Sequence, residues 1–231
     1  MTRVNTAELN RWNSTIISIC SFVSCMFYAN FSFLMTNSLL IYYVLLQGFN
    51  LGEPTGFWFV ICCIPLGPSL VALFSTMKIF IDTKEFSFTQ YWKSYFQNFK
   101  QSLLAWFCLL FIICFLYKDI EFFQESIMGS YIVPFFWFLF IICLLSMLYF
   151  FPLLAMFHLK TWDLMKYCFS CVITYWKTTI VLIFTIVLAV NLTYLFPSYM
   201  TLFVFSLTSY TILLLLREVQ MDTRKKIKEE N

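Results

Sequence analysis

Charge is scarce in this chain: Asp, Glu, Lys and Arg make up 12% of its 231 residues, against about a quarter in soluble globular domains. Histidine is scarcer still. With His158 alone, there is no second imidazole to complete a zinc site, and no H-E-x-x-H occurs. Asp82, Asp119 and Asp163 fall at the ends of apolar stretches or in loops. Hydrolysis inside a bilayer would need a nucleophile with its base, paired aspartates or a metal cluster, and each leaves ionisable groups within the spans. This chain has almost none there, so neither catalysis nor a cofactor is expected. Glycine is also sparse, with five residues, and none sits in the kind of coupling loop expected of an ABC permease subunit.

What the chain has instead is apolar side chain: 61% of residues are hydrophobic and 22% aromatic, with a mean hydropathy of +0.81. A soluble domain of this size could not hide that much without large exposed apolar patches. The expected class is an all-α polytopic transmembrane helix bundle, one membrane domain over residues 1–231, with the bilayer as its first partner.

Seven of the nine cysteines lie inside apolar runs and read as small hydrophobes. Cys168 and Cys171 form a C-x-x-C, but no second pair completes a metal site. The polar stretch from Met1 to Asn13 leads into an apolar run longer than the roughly 7 to 15 residues of a signal peptide, so it is expected to be retained. The sequons at Asn13, Asn30 and Asn191 lie at or within apolar segments, which argues against glycosylation. The basic cluster Arg224, Lys225, Lys226 and Lys228 reads as a cytoplasmic tail, and no nucleic-acid partner is expected.

A span needs roughly 20 apolar residues to cross about 30 Å of hydrocarbon. That ruler gives about six, at 15–46, 57–81, 102–117, 131–157, 178–196 and 198–216. The first is too long for one straight crossing, so it is either strongly tilted or preceded by an interfacial helix; Asn5 with Glu8 offers a capping box to start it. Pro65, Gly67 and Pro68 predict a break in the second. The third is short and is expected to borrow residues at its ends. Pro197 implies a tight turn between the last two.

With six spans, every Lys and Arg except Lys118 falls on one side, and by the bias of basic residues that side is cytoplasmic, with both termini inside. A five-span arrangement would put the basic tail on the wrong side.

Both inner loops carry a helical stripe. Phe88, Trp92, Tyr95 and Phe99 recur by 4, 3 and 4, opposite Thr89, Lys93, Gln97 and Lys100, with Ser87 and Gln90 as a capping box. Trp162, Met165, Phe169, Val172 and Trp176 repeat the design, opposite Asp163, Lys166, Ser170 and Lys177. Interfacial amphipathic helices are expected at about 87–100 and 161–177, either as simple membrane anchors or as a docking platform for a partner protein. An offset of 77 residues superposes the two patterns and suggests two parallel copies of span, surface helix, span.

The stretch 67–101 contains Gly-Pro-Ser-Leu-Val-Ala-Leu-Phe from Gly67, then Lys78, then Tyr-Trp-Lys-Ser-Tyr-Phe-Gln-Asn-Phe-Lys-Gln from Tyr91. It resembles the YesL-like family of bacterial membrane proteins. Lys78 stands where a basic pair is common, and Phe96 where a polar residue is usual. The resemblance implies a multi-pass protein of the bacterial plasma membrane linked to carbohydrate uptake or utilisation. It implies no catalytic residues. Gly67, Pro68, Lys78, Trp92, Lys93, Asn98, Phe99 and Lys100 are its motif and the candidate docking residues.

Two functions from different classes follow. One is an accessory or regulatory membrane subunit, with a carbohydrate ABC transporter or related membrane protein as partner. The other is a small transporter for a sugar or related solute, as a homo-oligomer, with a path lined by Asn30, Thr36, Asn37 and Asn191 and by the break from Pro65 to Pro68. An isolated Asn in a span also joins helices by hydrogen bonds.

Overall fold

The computed structural model describes residues 6–47, 56–124, 129–157 and 161–229, and most of these residues are helical with no strand among them. The first half of the chain gives α1 (Thr6–Thr36), α2 (Ser38–Gln47), α3 (Gly56–Cys62), α4 (Leu66–Thr83), α5 (Gln90–Gln97) and α6 (Phe99–Gln124). The second half gives α7 (Gly129–Met156), α8 (Thr161–Thr174), α9 (Trp176–Leu195), α10 (Pro197–Met200), α11 (Val204–Leu215) and α12 (Arg217–Glu229). The expected Asn5 cap, His158 and Lys160 lie outside the described residues.

Five helical stretches are long and apolar enough to cross a membrane: Ser14–Thr36, Trp58–Thr83, Phe99–Gln124, Tyr131–Met156 and Trp176–Leu195. The chain is a multi-pass membrane protein. The sixth expected span is shorter than its sequence suggests, because α10 ends in a turn at Thr201–Phe203 and only Val204–Leu215 follows as apolar helix. Twelve residues rise about 18 Å. The turn at Pro197 is present, and α11 folds back against α9 rather than prolonging it.

The first expected span is one helix of 31 residues continued by α2 after an interruption at Asn37. The interruption has a local cause. The Asn37 side-chain amide donates to the Phe33 carbonyl at 2.8 Å, while the Asn37 backbone N–H reaches the same oxygen at 3.2 Å and the Thr36 hydroxyl donates to it at 2.9 Å. Side chains competing for one helical carbonyl weaken the ladder there. The predicted break in the second span is also present, with turn residues Cys63–Pro65 between α3 and α4.

Helix α4 is the hub. It packs against α1, α5, α6, α7 and α11, and Val71, Ala72, Leu73 and Met77 are fully buried. In lipid the apolar effect does not drive helices together, so close packing and interhelical hydrogen bonds carry the assembly. Helix α1 runs antiparallel to α4 and to α11, as Phe22 meets Phe80 at 6.0 Å and Tyr210 at 5.5 Å while Asn37 meets Ser69 and Phe33 meets Phe205. The start of α1, the basic end of α4 and the α11–α12 junction therefore share one end of the bundle. Lys78 adds the end of α7, because its ammonium donates to the Met156 carbonyl at 3.2 Å, a cation at a helix C-terminus.

The 77-residue offset reappears in three dimensions. Helix α5 gives way to α6 at Asn98, and α8 to α9 at Tyr175. Four residues after each bend a buried hydroxyl returns to the bend's carbonyl, Ser102 to Asn98 at 2.7 Å and Thr179 to Tyr175 at 3.1 Å. The two inner-loop helices differ from expectation in extent and in buried face. Helix α5 starts at Gln90 with no side-chain cap from Ser87, and its buried residues are Tyr91 and Ser94. Trp92 and Tyr95 are half-buried, while Phe88 and Phe96 stay exposed. In α8 the buried face is Leu164, Met165, Cys168, Cys171 and Val172, whereas Trp162, Phe169 and Trp176 are exposed. The buried faces mix large side chains, Tyr91 and Leu164, with the small Ser94, Cys168 and Cys171. The polar faces are exposed as expected.

Candidate functional site

Asn30 and the pair Thr36 and Asn37 each anchor a knot of hydrogen bonds on α1, and other buried polar groups pair elsewhere, as the Tyr149 phenol does with the Thr179 hydroxyl at 2.7 Å. At the first, Asn30 is fully buried and closes the α10–α11 turn. Its amide nitrogen donates to the Thr201 carbonyl at 2.8 Å, and its Oδ1 accepts the backbone N–H groups of Phe205 at 3.0 Å and Ser206 at 3.4 Å. Those two N–H groups belong to the first turn of α11, where a helix has no internal acceptors. Asn30 thus acts as the N-cap of a helix more than 170 residues away in sequence.

The second knot lies where α1 ends and α4 begins. The Thr36 hydroxyl and the Tyr91 phenol are 3.0 Å apart, the Asn37 amide donates to Ser69 Oγ at 2.8 Å, and Ser69 donates to the Leu66 carbonyl at 2.8 Å. The Tyr91 phenol also reaches the Ser69 carbonyl at 3.4 Å. Burial holds this phenol well above the ordinary tyrosine range, with the Thr36 contact acting the other way, so it remains a neutral hydrogen-bonding group. Asn37 Oδ1 is buried without a hydrogen-bond partner.

Beside this knot, Gly67 and Trp106 form a close crossing of α4 and α6. A Cβ at position 67 would sit 2.5 Å from Trp106 Cβ. The same Trp106 donates its indole N–H at 2.8 Å to the Cys63 carbonyl, which also accepts the Leu66 N–H at 3.1 Å, and so ties α6 to the turn between α3 and α4. The missing Cβ of Gly67 lets Trp106 approach this turn closely.

The proposed path residues do not form one path. Thr36 and Asn37 share the second knot, Asn30 turns to α11, and Asn191 is exposed on α9, bonded at 2.8 Å to the Val187 carbonyl of its own helix. Of the motif residues in the α5 region, Lys93 and Lys100 are exposed, Trp92, Asn98 and Phe99 are half-buried, and Asn98 marks the bend. Sequence reasoning missed Ser69, Tyr91 and Trp106. It also missed a latch on α12, where Tyr175 donates to the Asp222 carboxylate at 2.7 Å and Thr223 to the Tyr167 hydroxyl at 2.9 Å. The nine cysteines form no disulfide, and burial raises the Cys168 thiol well above its ordinary value, which disfavours the thiolate that metal binding needs. Among the described residues no cluster of metal-ligating side chains occurs.

Residues 26–120 match the family described as "Protein of unknown function, DUF624". The matched stretch runs from α1 to α6 and contains both ends of the Thr36–Tyr91 contact, the Gly67–Trp106 crossing and Lys78. The description assigns no activity. No curated protein and no solved structure matched the chain.

Proposed function

We propose that this chain is an accessory or regulatory membrane subunit with no catalysis of its own, which docks on a partner through the face formed by α5, α8 and the start of α9. The observation that carries this reading is the exposed mixture of rings and lysines on that face. Phe96, Trp162 and Trp176 are 69%, 68% and 58% exposed, beside exposed Lys93, Lys100, Lys166 and Lys177. Lys166 lies 5.8 Å from the Trp162 ring and Lys177 5.8 Å from Trp176, pairs that suit an acidic or interfacial surface. The gathering of basic helix ends at one end of the bundle supports a cytoplasmic position for this face and for both termini.

The link to carbohydrate uptake, and the plasma membrane of a bacterium as its setting, rest on the resemblance of 67–101 to the YesL-like family. The alternative, a small solute transporter, is disfavoured by the separation of Asn30, which bonds to the start of α11, from Thr36 and Asn37, which bond to Tyr91 and Ser69. Affinity purification from the native membrane, with wild type and the Lys93→Ala/Lys100→Ala pair, tests docking; recovery of the same transporter subunits by both would refute it. Sugar flux into liposomes containing this protein alone would refute the accessory role.

A further inference from the structure

Asn37 is 2% exposed, yet only half of its amide is used. The Phe33 carbonyl can only accept, so the atom facing it at 2.8 Å is the nitrogen, and the same nitrogen donates to Ser69 Oγ at 2.8 Å. Asn37 Oδ1 is left buried with no donor among the described residues, an unusual state for a polar atom in a folded protein. Its direction follows from the helix packing. Phe33 lies one turn nearer the start of α1, and α1 runs antiparallel to α4. The nitrogen branch of the amide therefore faces the C-terminal side of α4, and the oxygen branch faces its N-terminal side.

The start of α4 presents the complementary shortage. The first N–H groups of a helix have no internal acceptor and point out of its N-terminal end. Leu66 donates to the Cys63 carbonyl at 3.1 Å and Ser69 to the Pro65 carbonyl at 3.0 Å. Pro68 has no N–H, and the N–H of buried Gly67 has no acceptor among the described residues. The missing N–H of Pro68 also deprives the Ile64 carbonyl of its helical donor, and that carbonyl has no other donor among the described residues. These groups lie close to Asn37. Its nitrogen donates to Ser69 Oγ, and Ser69 donates to the Leu66 carbonyl at 2.8 Å, which belongs to the same peptide unit as the Gly67 N–H.

A buried acceptor, a buried donor and a spare carbonyl around one turn suit a guest that accepts one hydrogen bond and donates two. We infer that a single water molecule is bound there, accepting from the Gly67 N–H and donating to Asn37 Oδ1 and the Ile64 carbonyl. Buried waters make about three such bonds, and ordered water is one means by which broken spans satisfy their backbone in lipid. A cation would suit the two oxygens, but the Gly67 N–H would turn its positive end toward it. The water joins the interruption of the first span at Asn37 to the break of the second at Cys63–Pro65. This site stands independently of the docking role above.

The test is proton-detected solid-state NMR on the full chain in phosphatidylcholine bilayers, with deuterated side chains and protonated amides. Glycine labelled at its amide nitrogen and leucine at its carbonyl carbon select the two Leu-Gly steps, at Gly52 and Gly67, and Gly52→Ala leaves Gly67 alone. A dipolar cross-peak between water and the Gly67 N–H is expected. Asn37→Leu, which keeps the volume and removes the amide, abolishes it, whereas Ser69→Ala, which takes a partner from the nitrogen and leaves the oxygen, keeps it. No cross-peak in the wild type, or an undiminished one in Asn37→Leu, would overturn the inference. So would a melting midpoint that rises with sodium chloride and not with potassium chloride, which would put a cation in the site. If Asn37→Leu fails to fold, the wild-type cross-peak and the salt comparison still decide.

Discussion

Replacing Asn30 by alanine removes three hydrogen bonds of a fully buried side chain. The three bonds join α1 to the start of α11 and to the turn before it. Losing an N-cap costs about 0.5–2 kcal/mol, and leaving the Thr201 carbonyl without its donor costs about 1–3 kcal/mol more. Interhelical bonds within membranes average nearer ~0.6 kcal/mol each, which places the lower bound for three bonds near 2 kcal/mol. The expected loss is therefore about 2–4 kcal/mol. At roughly 2–4 °C per kcal/mol for a chain of this size, the melting midpoint in detergent falls by about 4–16 °C. Differential scanning fluorimetry of the purified protein reads this directly. The control is Asn191→Ala, whose side chain is exposed and bonded only within its own helix; it shifts stability by less than about 0.5 kcal/mol. If the two variants melt together, Asn30 does not cap α11 and the turn at Thr201–Phe203 is held by something else.

Gly67→Ala drives a methyl group into Trp106 and is expected to cost about 1–3 kcal/mol by overpacking; an unchanged melting midpoint would show that α4 and α6 do not cross there. Tyr91→Phe removes a phenol placed 3.0 Å from Thr36 and lowers stability by about 1 kcal/mol. Combined with Thr36→Val in a double-mutant cycle, it shows coupling of about 0.6 kcal/mol, and strict additivity would deny the contact. Tyr175→Phe takes the donor from Asp222 and loosens α12, so limited trypsin cleavage after Arg217 and Arg224 speeds up; identical digestion rates would argue that the latch does not hold the helix.

Several features were legible in the sequence because they depend on composition and spacing alone. The helical class follows from long apolar runs, the break at Pro65 from a missing N–H, and the repeat from matching steps of 3 and 4. The shared position of the helix ends near Lys78, Phe22 and Tyr210 agrees with the count of basic residues. The faces of α5 and α8 were legible only in part: Met165 and Val172 of the expected stripe are buried and the polar faces are exposed. Size and apolarity pointed to Trp92, Phe99, Trp162 and Phe169, but close helix packing selected Tyr91, Ser94, Cys168 and Cys171.

For the first helix, the sequence alone determines that Asn30, Thr36 and Asn37 are polar residues in an apolar run, an arrangement that serves a solute path or a helix junction equally well. Only the tertiary structure decides between these uses, because hydrogen-bond partners 171 residues away at Thr201, 55 away at Tyr91 and 32 away at Ser69 are set by how helices cross. The backbone N–H groups at the start of α11 have no water in the hydrocarbon to satisfy them. The Asn30 side chain from α1 meets that need.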